Sequence, residues 1–397
     1  MKKIIIYYSK TGWGRAIYYA LAQGFKQCGQ EVILLDVDKD TYLQDLTEAL
    51  KNNDIYFSLG HNEEGLNVNV NTGKGLYTEL NIPHVCILDD APYNTVTFNT
   101  KAVECNHLIL CVRDKSHLEC LNMDNFKSNI KMSAFIPFGA SVDVIDGNFK
   151  KKRDIDVIYS ATYYGMPNRG WRRYFFKRKL LNEVADYLEE NAVTVLDGFK
   201  TVLELRGLNE PEILKKYYNK YFTMLYEYIK TYRRVKCVEK IADSGIIIDV
   251  CDSSWENVSF SKKLRIHGTT YYESLELYKR SKILLQEMAE FNSGSHNRVF
   301  DATLSGAAIV SEYSSYLGTK FENGVDIEYF NWNNIDKMPR IVESLLENEN
   351  RRNTMVHNAY NKVLKEHMPV HRASKILEIV DSYLSSRYGN LYKKVTK

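Results

Sequence analysis

At 397 residues the chain exceeds what one hydrophobic core serves, so two domains are expected. Hydrophobic residues at 44% and charged residues at 26% exclude a disordered or fibrous chain. Lys and Arg number 53 against 50 Asp and Glu, a balance that lacks the field needed to gather nucleic acid; nucleic acid is excluded as a partner, and any phosphate is expected to be held locally.

From the N-terminus, the short apolar runs IIIYY (4–8), EVILL (31–35), DIYFSL (54–59), HVCIL (84–88), HLILCV (107–112) and SAFIPF (133–138) alternate with helix-length amphipathic stretches. Near-continuous apolar strands spaced by helices predict a doubly wound parallel sheet covered on both faces. The polar, basic segment 147–154 then places a domain boundary near 150/151. A second series, DVIYSA (156–161), GIIIDV (245–250), KLRIHG (263–268), SKILLQE (281–287) and AAIVSE (307–312), predicts another α/β domain over 151–370, with helices at 271–280, 297–305, 337–347 and 351–366. Between its first two strands lies a helical insertion of about 168–240. The helical spacing of Ile376, Ile379, Val380 and Tyr383 predicts that 371–397 is a helix packing back across the domain junction.

The front of the insertion, RGWRRYFFKRK (169–179), holds six basic residues and no acid. It reads either as a contact for a membrane surface or protein, or as a solvated helix with aromatics in the core. The seven cysteines are scattered, odd in number and without a Cys-x-x-Cys pair, which points to buried thiols in a reducing cytosol. The apolar run at the start is too short for a signal peptide, and no stretch reaches the roughly 18–20 residues of a membrane span, so a cytoplasmic protein is expected.

Several loops that follow strands carry candidate site residues. Gly12, Trp13 and Gly14 open the first helix, where backbone N–H groups can approach a phosphate or sugar. The third glycine of a dinucleotide fingerprint is replaced by Ile17, which weakens a dehydrogenase reading based on Gly14 and Asp36. Asp-x-Asp pairs at 36–40 and 154–156 lack the companions of a calcium loop, and no metal is assigned. His61 follows the third strand and can accept a proton near neutral pH; Asp90, in the Asp89-Asp90 pair after the fourth, is a second candidate base, against the alternative of a capped turn before Pro92.

The stretch SHNRVFDATLSGAAIVSE (295–312) reads as a helix N-capped by Ser295, with Asn297, Arg298 and Asp301 on a polar side and Phe300 and Leu304 on an apolar one. Such a helix N-terminus, with Arg298 bidentate on phosphate and Asp301 accepting from ribose hydroxyls, would be a nucleoside diphosphate socket. The plainer alternative is a capped helix with an Arg-Asp surface pair.

The run of Arg298, Phe300, Asp301 and Gly306 leading into IVSE, preceded by IHGTTYYESLELYKRSKILL (266–285), resembles the CgeB-like, spore-maturation type GT-B glycosyltransferases. The regions FENGVDIEYFN and 349–377, with His367 and Arg372, resemble that family's closing helices. The resemblance implies two Rossmann-like domains facing across a cleft, with the helical insertion in the second. It implies transfer of a sugar from a nucleotide donor, a UDP-sugar foremost, to a protein, glycan or other cell-surface acceptor, without cofactor or metal. His61 or Asp90 would then be the base and Arg298 the phosphate ligand. Thr162, His267, Gly268, Thr269, Ser295, His296, Asn297 and Asp301 would line the donor. The pair of glutamates eight apart seen in many retaining enzymes falls on Ser293 and Asp301, which leaves the stereochemistry open. A nucleotide-sugar epimerase or hydrolase, or a binding module without turnover, shares the same fold.

Overall fold

The computed structural model describes residues 2–9, 13–66, 68, 74–94, 105–121, 130–141, 152–208 and 211–395. The chain divides into two compact units, Met1–Val142 with His367–Lys397 and Asp143–Glu366. The expected boundary at 150/151 lies outside the described residues.

The first unit contains strands β1 (Lys3–Tyr8), β2 (Glu31–Asp36), β3 (Ile55–His61), β4 (His84–Leu88), β5 (Leu108–Val112) and β6 (Ile130–Phe135). Its helices are α1 (Trp13–Gln27), α2 (Tyr42–Asn52), α3 (Leu76–Glu79) and α4 (His117–Cys120). All strand pairs are parallel, in the order β2-β1-β3-β4-β5-β6. β4 and β5 are buried throughout, as expected of strands covered on both faces. The order reverses between β1 and β3, and ligands in such sheets bind beyond the carboxyl ends of the strands at the reversal.

In the second unit the strands are β7 (Ile155–Tyr159), β8 (Ile248–Val250), β9 (Leu264–Ile266), β10 (Ser281–Gln286), β11 (Ala308–Glu312) and β12 (Glu328–Phe330). Helices α5 (Arg178–Glu190), α6 (Val195–Leu205), α7 (Pro211–Tyr217) and α8 (Thr223–Asp243) make up the insertion. They are followed by α9 (Tyr271–Arg280), α10 (Asn297–Leu304), α11 (Ser315–Gly318), α12 (Met338–Glu347) and α13 (Glu349–Glu366). The sheet order β12-β11-β10-β7-β8-β9 becomes 6-5-4-1-2-3 when the strands are counted within the unit, the order of dinucleotide-binding sheets, with its reversal between β7 and β10. That order belongs to the unit without the Gly12-x-Gly14 loop. Val157, Tyr159, Ile283, Leu285 and Val310 form a core with Val238 and Ile241 of α8 and Val342 of α12.

The C-terminal helix α14 (Pro369–Val395) belongs to the first unit and lies along α1. Gly24 of α1 permits this approach, since a Cβ there would sit 2.6 Å from the Pro369 carbonyl oxygen. The Ala140 amide donates to the His367 carbonyl at 2.8 Å, and Arg372 donates to the Phe138 carbonyl at 3.1 Å and contacts His367 Nδ1 at 2.8 Å.

Candidate active site

At the reversal of the second sheet, β10 ends in Gln286 and leads into a loop that enters α10. Arg298, in the first turn of α10, donates from Nη1 to Gln286 Oε1 at 3.1 Å, so its guanidinium is steered toward the end of β10. Lys230 and Arg234 of α8 act on the same place. Burial pushes the His296 imidazole well below its usual value, and the positive charges of Arg298, Arg234 and Lys230 push it further in that direction. Three cations around a helix N-terminus suit a diphosphate, because the first N–H groups of α10 and the guanidinium forks all present hydrogen to oxygen.

Arg234 is held by Glu287, the residue after β10: Arg234 Nε donates to Glu287 Oε1 at 3.2 Å, and Arg234 Nη1 donates to the Thr162 carbonyl at 2.9 Å. Burial opposes ionisation of Glu287, but Arg234 and then Arg298 outweigh it and hold the carboxyl below its ordinary value. Arg233, the preceding residue, repeats the arrangement one strand away. It pairs with Glu312 at the end of β11 at 3.0 Å, donates to the Asn191 carbonyl at 2.6 Å, and lies 5.1 Å from the Trp332 ring centroid. Neither arginine nor Lys230 was among the candidates read from the sequence. The visible signal was the TYRR run in the insertion, but nothing local ties it to strands that follow about 50 and 80 residues later.

The other candidates of this unit gather along the same sheet edge, with changed roles. α10 starts at Asn297, where the helix was expected, but its N-cap is His296 rather than Ser295, without a side-chain capping bond, and Ser295 is buried. Asp301 is also buried. Its Oδ2 accepts from the Tyr271 hydroxyl at 2.7 Å and the Asn297 amide at 3.0 Å, so it anchors these two side chains and forms no surface pair with Arg298. Tyr271 opens α9 through a capping box of Thr270 and Glu273, which ties the His267–Thr269 loop to α10. His267 Nε2 donates to the buried Asp249 Oδ1 at 2.7 Å, and Thr269 donates to the Cys251 carbonyl at 3.4 Å. The nearest contact for a Cβ on Gly268 would be Ser253, at 3.7 Å. Thr162 donates to Asp252 at 2.8 Å.

In the first unit, His61 closes β3 next to the sheet reversal. Its Nε2 donates to Asp89 Oδ2 at 2.9 Å, and Asp89 Oδ1 accepts from Arg113 Nε at 2.6 Å. Tyr18 donates to Asp89 Oδ2 at 3.3 Å. The carboxylate that orients His61 is therefore Asp89. Asp90 instead accepts from the Asn94 amide at 3.4 Å. Burial opposes charge on both partners, yet Arg113 and His61 draw the Asp89 carboxyl down to about 2. Burial likewise opposes protonation of His61, and the attraction of Asp89 overcomes it, leaving the imidazole above its ordinary value. With Nε2 donating to Asp89, Nδ1 is the basic nitrogen of the neutral ring. The chain can turn sharply after His61 because a Cβ on Gly60 would meet the Glu64 carbonyl at 2.0 Å, and because Asn62 and Gly65 take φ of 49° and 82°. Gly12 lies outside the described residues, while Trp13 and Gly14 form the start of α1. Among the described residues no group of His, Cys, Asp and Glu is arranged to hold a metal ion, and no helix is long and apolar enough to cross a membrane.

The model of the family described as glycosyl transferase-like matches residues 233–378. No curated protein matches the chain in sequence. Among solved structures, an alpha-glucosyltransferase in complex with UDP and a 13-mer DNA containing an HMU base is similar at 11% identity, with 96% of this chain and 99% of that chain covered and a TM-score of 0.51. A DNA-modifying enzyme, beta-glucosyltransferase, solved in the presence and absence of its substrate uridine diphosphoglucose, is similar at 10% identity, with 96% and 100% covered and a TM-score of 0.54. These likenesses concern the fold. They give no support to excluding nucleic acid on net charge, since one neighbour is a DNA complex and the other modifies DNA. The chain has the two-sheet GT-B fold, and the part that carries Arg233, Arg234, Arg298 and Asp301 is a glycosyltransferase domain.

Proposed function

We propose that the protein transfers a sugar from a nucleoside diphosphate donor, a UDP-sugar foremost, to an acceptor hydroxyl, with inversion at the anomeric carbon and without metal. The observation that carries this reading is the His61–Asp89–Arg113 chain at the end of β3, a base held in one tautomer by a buried carboxylate. His61 takes the acceptor proton as the acceptor oxygen bonds to the anomeric carbon. The bond from that carbon to the β-phosphate oxygen breaks, and its electron pair stays on the departing diphosphate. Arg298, Lys230, Arg234 and the N-terminus of α10 meet the growing negative charge, the role filled by a metal in other sites. The loop at His267–Thr269 and Thr162 flank the nucleotide. The acceptor is a protein, a glycan or, as the neighbours allow, DNA. The CgeB-like subtype rests on the run from Arg298 to Gly306, and a cytoplasmic location on seven free cysteines.

The test combines binding and turnover. UDP at about 100 times its dissociation constant should stabilise the wild type by about 2.7 kcal/mol, a shift of several degrees. Arg298→Ala should lose this shift. His61→Ala should keep it while losing transfer, and the anomeric configuration of the wild-type product, read by NMR, should be opposite to that of the donor. Retention of configuration, or unchanged transfer by His61→Ala, removes the base from the mechanism. A chain that no nucleoside diphosphate stabilises is not a transferase of this kind.

A further inference from the structure

Neither the donor site nor the base uses the surface at the front of the insertion. Its root is fixed. Trp171 is fully buried and donates from Nε1 to Asn182 Oδ1 at 2.9 Å, and Arg169 is held by Asp186 at 2.5 Å and by Glu189. From this root the chain turns outward and leaves Phe175 73% and Phe176 96% exposed, at the start of α5. Met166 is also exposed, at 55%. Arg172, Arg173, Arg178 and Lys179 are exposed on both sides of the two phenylalanines, and no Asp or Glu occurs between Asp156 and Glu183.

A pair of protruding apolar rings within a basic rim has a specific complement. A run of stacked nucleobases needs ring faces that lie parallel, but Phe175 and Phe176 stand edge to face at 87° with centroids 5.5 Å apart, and the Arg178 guanidinium lies 5.7 Å from the Phe175 centroid. A peptide needs a groove, whereas these rings project. The boundary between lipid headgroups and acyl chains accepts projecting rings, and anionic headgroups attract a basic rim. We infer that the 172–179 tip docks the protein on the surface of an anionic lipid bilayer. Phe175 and Phe176 enter the headgroup boundary, while Arg172, Arg173, Arg178 and Lys179 face lipid phosphates. This inference is independent of the donor and base assignments.

Vesicle flotation of the full chain tests it, with phosphatidylcholine vesicles and with vesicles containing phosphatidylglycerol. The protein should float with the anionic vesicles, weakly with the zwitterionic ones, and less as salt is raised. Phe175→Ser with Phe176→Ser, and separately Arg172→Glu with Arg173→Glu, should each weaken partitioning roughly tenfold or more. Both pairs of substitutions lie on exposed side chains, so an unchanged melting temperature verifies the fold. Absence of flotation with anionic vesicles overturns the inference, as does flotation that the phenylalanine pair does not affect. Capture of a single-stranded oligonucleotide by the wild type but not by the phenylalanine variant, without vesicle binding, would assign the tip to nucleic acid instead.

Discussion

Asp89→Asn keeps the shape of the side chain and removes the charge that both His61 and Arg113 use. In the folded protein the Asp89 carboxyl falls from its ordinary 3.8 to about 2, which corresponds to about 2–3 kcal/mol in favour of the charged form. The substitution also leaves the buried Arg113 guanidinium without a counter-charge, and breaking a buried pair on one side costs about 3–5 kcal/mol in all. For a unit of this size the melting temperature should fall by roughly 6–20 °C. The sign with pH is fixed. A depressed carboxylate stabilises above its ordinary range and ceases to do so as pH falls through about 2, so the gap between wild type and variant should be full at pH 7 and narrow below about pH 4. Transfer kinetics give the second readout. His61 must be neutral to accept a proton, and Asp89 is what raises its pKa against burial. Without Asp89 the acid limb of kcat/KM should move to lower pH, while the plateau rate falls because the tautomer is no longer held. Denaturant melts between pH 3 and 8 and a kcat/KM profile would measure both. A stability loss below about 1 kcal/mol, or an acid limb that does not move, would refute the coupling.

Arg234→Gln leaves Glu287 buried without its paired guanidinium and with only the charges of Arg298 and Lys230 acting on it, and should cost about 3–5 kcal/mol, while the double variant with Glu287→Gln should recover much of that loss; additive losses in a double-mutant cycle would contradict the pairing. Burial pushes the Glu290 carboxyl up to about 8, opposed by the Val195 amide that donates to it at 2.9 Å. A carboxyl raised in this way stabilises fully below its ordinary 4.5 and loses that contribution as pH rises through about 8. The wild type should therefore lose about 4–5 kcal/mol relative to Glu290→Gln between about pH 5 and 8, and parallel urea stability curves for the two proteins would dismiss the burial argument.

The apolar runs placed eleven of the twelve strands among the described residues, because a strand buried on both faces shows itself as four to six consecutive apolar residues. β12, Glu328–Phe330, escaped because it opens on a glutamate and stands in no apolar run, whereas the equally short β8 lies within GIIIDV and β9 within KLRIHG. The site was less legible where it depends on parity or on distant partners. Of two adjacent aspartates after β4, successive side chains diverge, and nothing in ILDDAPYN reveals that Asp89 is the one aimed at His61. The i, i+4 spacing of Asn297 and Asp301 was visible and is bonded as expected, but the hydroxyl that completes Asp301 comes from Tyr271, thirty residues earlier. That burial makes Asp301→Ala a poor probe of donor binding, because a folding defect would mimic a lost ligand contact. Arg298, steered by Gln286 to the strand end, is the cleaner choice.

The insertion between β7 and β8 cannot be a detachable appendage. β10 and β11 are parallel with Gln286 beside Ser311, so the residues that follow, Glu287 and Glu312, are neighbouring carboxylates, both almost fully buried. Two such charges repel each other and would not stay ionised in a dry sheet edge unless each had its own cation. Consecutive residues on a helix point about 100° apart, so Arg233 and Arg234 on one turn of α8 can each reach a different strand end. A guanidinium suits this task better than an ammonium: Arg233 spends further donors on the Leu188 and Asn191 carbonyls, and Arg234 another on Thr162. One turn earlier on α8, Lys230 adds a positive charge that is felt at His296, the N-cap of α10. The helices that separate β7 from β8 therefore complete the charge balance at the sheet reversal, and on the proposed reading they supply two of the three cations for the diphosphate. On that reading the donor site forms only once the chain has returned from the insertion and laid α8 against the sheet.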